Sequence, residues 1–484
     1  MKRWFFISFV VFILVCYAAP ANPGARYPIL GSDVIEGVAI LEDHSEALVH
    51  WAKKGIKDAV LFNIDAHDDR RWISDEKIET LKALYNRQDW TALRNVDSMG
   101  DKSLYHVGNF IYAAARLGII KEIYWMIPFS YFSQKEIEDR LREFLRLYNF
   151  SEEDIRTFRR EGACFRGRTL GIPMTVFGLE YIPAIAKPII LSIDMDFFPP
   201  MVQAYGFDKT TAIRNLFKAL YQKKYAIQHA LIAYSVKGGY VSVVNRWIGE
   251  ACLEVLKNPG MVYDNPPKLW MARQHGDNYY EENNASALLN HSISHLENYE
   301  EDPSLVLYAG FAYLGMGNVK QAFNFAKKAC LIHSGYCYGL ADMGQCLLDT
   351  DRLDDAVRFF ECVYTLSPGM TFRQANYADA LKKAGRYREA LLYFERYRSR
   401  HGSFPVEFLI GETFLLMGDA SSAMAHFERG TRYLDNDPYA SVKNQKVADA
   451  ILRAIAFYEQ KGFRGRARAL KEHPKLKTIF AKHK

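Results

Sequence analysis

Three short stretches of this chain place acids and imidazoles where apolar runs end. In "LFNIDAHDDRRW" (Leu61–Trp72), Leu61, Phe62 and Ile64 lead into Asp65, His67, Asp68 and Asp69, with Arg70 and Arg71 behind. In "LSIDMDFF" (Leu191–Phe198) a second apolar run ends in Asp194 and Asp196, and "LEDHSEA" (Leu41–Ala47) supplies His44. Carboxylates crowded at a strand tip repel one another and resist desolvation, a cost that a divalent cation offsets. Alternate residues of an extended segment point the same way, so Asp65, His67 and Asp69 are expected to converge and Asp68 to aim elsewhere. His44, Asp65, His67, Asp69, Asp194 and Asp196 together balance two divalent cations. Oxygen and nitrogen donors without thiolate suit manganese, with zinc or iron as alternatives. The competing reading is a buried charge network without metal, which so many carboxylates beside imidazoles make unattractive.

Other residues have weaker claims. Arg70 and Arg71 could hold a substrate carboxylate or phosphate, or simply pair with Asp68. His106 follows the second motif and could act as a general acid or base, against the plainer role of a core or surface histidine. His229 stands in the same position. His50 lies in the amphipathic "EALVHWAKKG", where packing on a helix is the default.

The elements that must position these groups are legible in outline. From about residue 25 to 265, short apolar runs alternate with helical stretches: "GVAIL" (Gly37–Leu41), "AVLFNI" (Ala59–Ile64), "EIYWMIP" (Glu122–Pro128), "KPIILSI" (Lys187–Ile193) and "ALIAYS" (Ala230–Ser235). Near-continuous apolar strands separated by helices predict a parallel sheet covered on both faces, which binds ligands beyond the carboxyl ends of its strands. The polar clusters fall there. Beyond residue 303 the period changes. Gly310, Gly344, Ala378 and Gly411 recur at steps of 34, 34 and 33, and Ala322, Ala356, Ala390 and Ala423 keep the same step. Phe360, Phe394 and Phe427 follow the last three of those alanines. Small residues at fixed places let paired helices approach closely.

This step resembles the tetratricopeptide repeat over residues 303–438, in four copies. It departs at the usual tryptophan position, and Ala326 stands where the other copies have phenylalanine. Residues 266–302 are expected to be a linker or helical segment, and 439–484 a basic helical cap that includes Gly462 and Ala467. The resemblance implies a protein or peptide partner in the repeat groove.

The three acidic motifs, in their order, resemble the arginase, agmatinase and histone-deacetylase superfamily. "EDHSEA" looks like its G-D-H-S segment, "NIDAHDD" like D-A-H-x-D and "SIDMD" like S-x-D-x-D. "YWMIP", "SIDMDFF" and "IAYSVKGGY" point to an uncharacterised branch of it. The resemblance implies a three-layer α/β/α sheet, followed here by the all-α solenoid. It implies one metal on His44, Asp65, Asp69 and Asp194 and another on His67, Asp65, Asp194 and Asp196, with water activated between them. The implied reaction is hydrolysis of an amide or amidine carbon–nitrogen bond in a small-molecule or acylated substrate. Two departures argue against guanidine hydrolysis: the proton-shuttling histidine and the late guanidinium-reading glutamate have no counterparts. Pro199 also replaces the aspartate that closes the second motif. The alternative is a non-catalytic metal-binding scaffold that recruits a partner through its repeats.

Met1-Lys2-Arg3, the apolar run Trp4–Ala19 and Ala19-Pro20-Ala21 describe a secretory signal over residues 1–21, so export to a periplasm or secretion is expected. An uncleaved membrane anchor is the alternative. Six cysteines lie outside that segment without a C-x-x-C spacing, which argues against a zinc ribbon and leaves room for one disulfide. Among 484 residues, 49% are hydrophobic and the net charge is +6, which fits roughly three folded units and no nucleic-acid module. Basic residues gather near the end, from Arg464 to Lys484, as a solvated cap or a contact for an acidic partner.

Overall fold

The computed structural model describes residues 27–96, 103–129, 137–370, 373–401, 404–436, 442 and 445–476. The expected export segment, residues 1–21, lies outside them. No described helix is long and apolar enough to cross a membrane.

The first half is a sheet of eight described strands: β1 (Ala39–Leu41), β2 (Ala59–Ile64), β3 (Ile120–Met126), β4 (Arg159–Glu161), β5 (Cys164–Thr169), β6 (Ile172–Phe177), β7 (Ile189–Asp194) and β8 (Ile227–Ala233). Their order is β1-β8-β7-β2-β3-β6-β5-β4. Neighbours from β1 to β6 run parallel, whereas β5 and β4 are antiparallel additions at one edge. β2 and β7 are buried at every position. Val60, Phe62 and Ile64 enter one core with the helices Lys209–Tyr221 and Arg246–Lys257. Ala59 and Leu61 enter the other, with the helices Glu46–Lys53 and Phe110–Arg116. Helices on both faces of a mainly parallel sheet make three layers.

The antiparallel edge departs from the wholly parallel expectation. β5 lacks a continuous apolar run because Arg166 faces solvent while Phe165 and Cys164 are buried. β5 and β6 join through Leu170 and Gly171, with φ of 47° and 80°. Two residues of positive φ suit the twist of a tight hairpin.

The second half is helical throughout its described residues. Its pairs are Lys268–Glu281 with Ala285–Leu296, Pro303–Gly315 with Val319–Ile332, Cys337–Asp349 with Leu353–Leu366, and Gln374–Lys383 with Tyr387–His401. Phe404–Leu416 with Ala420–Asn436 and Gln445–Gln460 with Arg464–Glu472 complete the stack. The first pair occupies the segment expected as a linker or helical segment. Gly276 lies one 34-residue step before Gly310, and its missing side chain leaves room for the ring of Tyr308, which a Cβ would approach to 2.7 Å. Leu288 replaces the alanine at the other marker position, which hid this copy.

Both halves share one apolar core, so the helix pairs continue the layer on one face of the sheet. A Cys330–Cys337 disulfide closes the turn between the second and third pairs. The terminal basic residues find acids distant in sequence: Arg466 meets Glu428 at 2.8 Å and Lys471 meets Glu459 at 2.6 Å.

Candidate metal centre

β2 and β7 lie side by side in parallel register, Ile64 opposite Ile193, so their carboxyl ends carry Asp65 and Asp194 to the same edge. β1 pairs with β8 next door, and Tyr234 N donates to Leu41 O at 2.9 Å, bringing in the turn that contains His44. The Asp65 segment is pinned from below: Trp125 Nε1 donates to Asp65 O at 3.0 Å, and Tyr148 Oη to Ala66 O at 2.7 Å.

His44 is fully buried. Its Nδ1 lies 3.1 Å from Asp65 Oδ2, 3.3 Å from Asp69 Oδ2 and 3.0 Å from Asp194 Oδ2, in no regular hydrogen bond with any of them. Its Nε2 contacts Ser192 Oγ at 2.8 Å. On the other side of Asp65, His67 Nδ1 lies 2.6 Å from Asp196 Oδ2 and 3.9 Å from Asp65 Oδ1. Donor atoms of His44, Asp65 and Asp69, and separately of Asp65, His67 and Asp196, come within 4.8 Å of one another. Asp65 belongs to both sets. Supporting donors fix the carboxylates: Asn63 Nδ2 to Asp65 Oδ2 at 3.0 Å, Ser235 Oγ to Asp194 Oδ2 at 2.8 Å, and Ala66 N to Asp196 Oδ1 at 3.2 Å.

Convergence does not follow strand alternation. β2 ends at Ile64 and Asp69 takes a left-handed φ of 43°. His67 and Asp69 therefore fall on opposite sides of Asp65 rather than on one spot.

The electrostatics reflect too little positive charge for so many acids. Burial, then the Asp65 carboxylate, pushes Asp69 well above the usual range. Burial and Asp196 raise Asp194, and burial and Asp65 bring Asp196 to about 6. The hydrogen bond to Asp196 lifts His67 to about 10. Burial opposes the charged form of His44, yet Asp194 and the other carboxylates hold it well above its ordinary value.

A cavity of about 290 Å³ opens over these groups. Its lining includes Asp69, Asp194, Asp196 and His67, and beyond them Arg71, His106, Tyr148 and Tyr240. His106 Nδ1 accepts from Gly108 N at 3.1 Å. Burial and the charges of Arg71 and Lys77 lower its pKa to about 4, so the ring is neutral at ordinary pH. The two arginines part company. Arg71 lines the cavity. Arg70 is 3% exposed, pairs with Asp68 Oδ2 at 2.6 Å and stacks 3.3 Å from the centroid of Phe150. His50 and His229 stack on one another with ring centroids 4.8 Å apart, outside the residues that line the cavity.

Tyr240 escaped the sequence reading. It lies beyond β8 in "SVKGGY", half-exposed, its ring 5.9 Å from that of His67, and partial desolvation with the Asp69 and Asp43 carboxylates raises the phenol to about 12. The signal was Gly238, where a Cβ would sit 2.5 Å from the Tyr240 ring. Ser192, Ser235 and Asn63 were also invisible as supports, because nothing in a sequence marks which hydroxyl or amide will face a histidine or an acid at the strand ends.

No family model matches the chain, and no curated protein does. Solved structures that match include MamA of AMB-1, 18% identical, with 34% of this chain and 99% of that one covered at a TM-score of 0.28. MamA from Desulfovibrio magneticus RS-1 is 13% identical, with 35% and 96% covered at a TM-score of 0.29.

Proposed function

We propose that the chain is a binuclear metallohydrolase of carbon–nitrogen bonds, amide or amidine, whose helix pairs form a module that binds a protein or peptide. The observation that carries this reading is the convergence on one buried nitrogen, His44 Nδ1, of oxygens from three aspartates at 3.0–3.3 Å. One ring N–H cannot serve three carboxylates at once, whereas a cation among them would. The donor set fits two divalent cations, one held by His44, Asp65, Asp69 and Asp194, the other by Asp65, His67, Asp194 and Asp196. Manganese suits the ligands best, with zinc or iron next. Such a pair of cations would lower the pKa of water and polarise the bond to be cleaved.

The chain's own residues supply the rest. Arg71 offers a fixed cation to a substrate carboxylate or phosphate. Tyr240, protonated throughout the working range, donates a hydrogen bond. His106, neutral with Nδ1 accepting from Gly108 N, carries its proton on Nε2 and would offer it to the substrate as a hydrogen bond. Val107, Leu147 and Tyr148 add apolar surface to the lining of the cavity.

A groove of about 540 Å³, lined by Tyr280, Phe311, Leu314, Leu347 and Arg352, supports binding of a peptide or protein by the helix pairs. Export rests on the basic-then-apolar N-terminus and is supported by the Cys330–Cys337 disulfide, which suits an oxidising compartment. Anchoring by an uncleaved N-terminus is the other form of the same proposal.

Metal analysis of the full chain beside an Asp65→Asn, Asp194→Asn variant tests the reading. The expected result is about two manganese ions per wild-type chain, lost in the variant, with metal-dependent turnover in a panel of amides and amidines. Metal retained by the variant defeats the site assignment. Metal without turnover favours the non-catalytic scaffold.

A further inference from the structure

The turn that carries His44 is gripped by residues that touch no part of the cavity. Glu42, two positions earlier, accepts from both ends of the Arg246 fork, Nη1 to Oε2 at 2.8 Å and Nη2 to Oε1 at 2.7 Å. Such a bidentate pair fixes orientation as well as distance. Arg246 opens the helix Arg246–Lys257, is 1% exposed, and lies 3.7 Å from the centroid of the Tyr234 ring. Tyr234 N is the donor that ties β8 to Leu41 O.

The helix pairs reach the same guanidinium. Gly335 sits in the turn Ser334–Tyr336, and a Cβ there would lie 2.3 Å from Arg246 Cζ. Only glycine lets the turn approach so closely. The disulfide Cys330–Cys337 closes that turn, and Tyr336 Oη anchors it through Ser304 Oγ at 2.7 Å and Glu250 Oε1 at 2.9 Å. Lys237, from the loop that carries Tyr240, steadies the far side, 3.3 Å from Glu46 Oε1 and 3.8 Å from Asp43 Oδ2. A continuous path of packed groups thus runs from the second and third helix pairs through Arg246 and Glu42 to His44.

We propose that Arg246 is a positioning residue through which the helix-pair region sets the place of His44, so that metal affinity at the sheet depends on how the turn at Gly335 packs. The proposal rests on the reading of the site as a metal centre. Arg246 touches no ligand atom and acts only through Glu42 and the turn. Partners hydrogen-bonded directly to a metal ligand typically govern about 10- to 100-fold in affinity, and Arg246, one contact further out, is expected at the low end of that range. Lysine cannot replace the fork, because its ammonium is a point charge without two parallel donors.

The test uses the full chain with two variants, Arg246→Lys and Gly335→Ala. Gly411→Ala is the control, since its Cβ would meet the Phe427 ring at 2.5 Å within the helix pairs, away from Arg246. Two quantities are measured: manganese affinity by calorimetric titration, and hydrogen exchange of residues 39–52 in metal-free protein. The expected result is a loss of affinity of about tenfold or more in both variants. Exchange of residues 39–52 should also quicken in both, with the control at wild-type values. Unchanged affinity and exchange in both variants overturn the proposal, as does an equal effect in Gly411→Ala. A wild-type chain that binds no manganese overturns the metal reading instead, and the exchange comparison then decides the positioning role alone.

Discussion

Arg70 and Arg71 are adjacent in sequence and do different work. The backbone reverses at Asp69, which sends the Arg70 side chain under the Phe150 ring and onto Asp68 while Arg71 remains at the cavity. Asp68 is pushed up by burial, with Arg70 working against the shift. Removing the arginine strands a buried carboxylate, so Arg70→Met should lower unfolding free energy by about 3 kcal/mol in a denaturant titration. Protonation of Asp68 limits the loss. Adding Asp68→Asn should recover part of it, because the unpaired charge is then gone; a double variant no better than the single would refute the pairing. The types and spacing of the six proposed ligands were plain in the sequence. Which arginine faced the cavity was not, because it depends on one left-handed residue and one aromatic ring, Phe150, from a loop about 80 positions away.

At the level of elements, each helix pair turns through a left-handed residue: Asn283, Gly317, Asp351, Gly385, Gly418 and Gly462 have φ between 53° and 82°. Asparagine and aspartate tolerate that conformation and glycine adopts it freely, whereas alanine pays about 1–2 kcal/mol. Gly418→Ala should therefore destabilise by about 1 kcal/mol although open space surrounds it. Gly465→Ala, inside the helix Arg464–Glu472 and equally unobstructed, should stabilise by up to about 1 kcal/mol. Thermal melts of the two variants moving the same way would contradict this account. The repeat from residue 303 was legible because its small residues recur. The earlier pair was hidden because Leu288 breaks the pattern, even though Asn284 caps its helix as Asn318 caps the next, by accepting from the N–H three residues on. The hairpin of β5 and β6 was hidden for a different reason. β5 carries Arg166, Gly167 and Arg168 in its middle, and a search for continuous apolar runs passes over it.

Taken whole, the chain folds the sheet and the helix pairs around a common core, and part of its acid response follows from two half-buried histidines outside that core, His50 on the helix Glu46–Lys53 and His229 on β8. Burial and the charges of His50 and Lys54 lower His229 to about 4, and burial likewise lowers His50. A folded-state pKa below the unfolded one means that the unfolded chain takes up protons first, so stability is present at neutral pH and falls as pH drops from about 6.5 toward 4. Between pH 7 and 5, His229→Asn should lose less unfolding free energy than wild type by up to about 2 kcal/mol. Parallel losses in the two proteins would remove His229 from the account. By itself the sequence determined the layered sheet, the 34-residue helical step and the residues able to meet a cation, because apolar periodicity and the chemistry of side chains are local properties. Only the tertiary structure decided that Tyr240 and Arg71 line the cavity while Arg70 turns away to Phe150, and that Arg246 joins Gly335 to Glu42. Those facts depend on strand order and on close packing between distant segments, and no local pattern carries information about what lies across a buried contact.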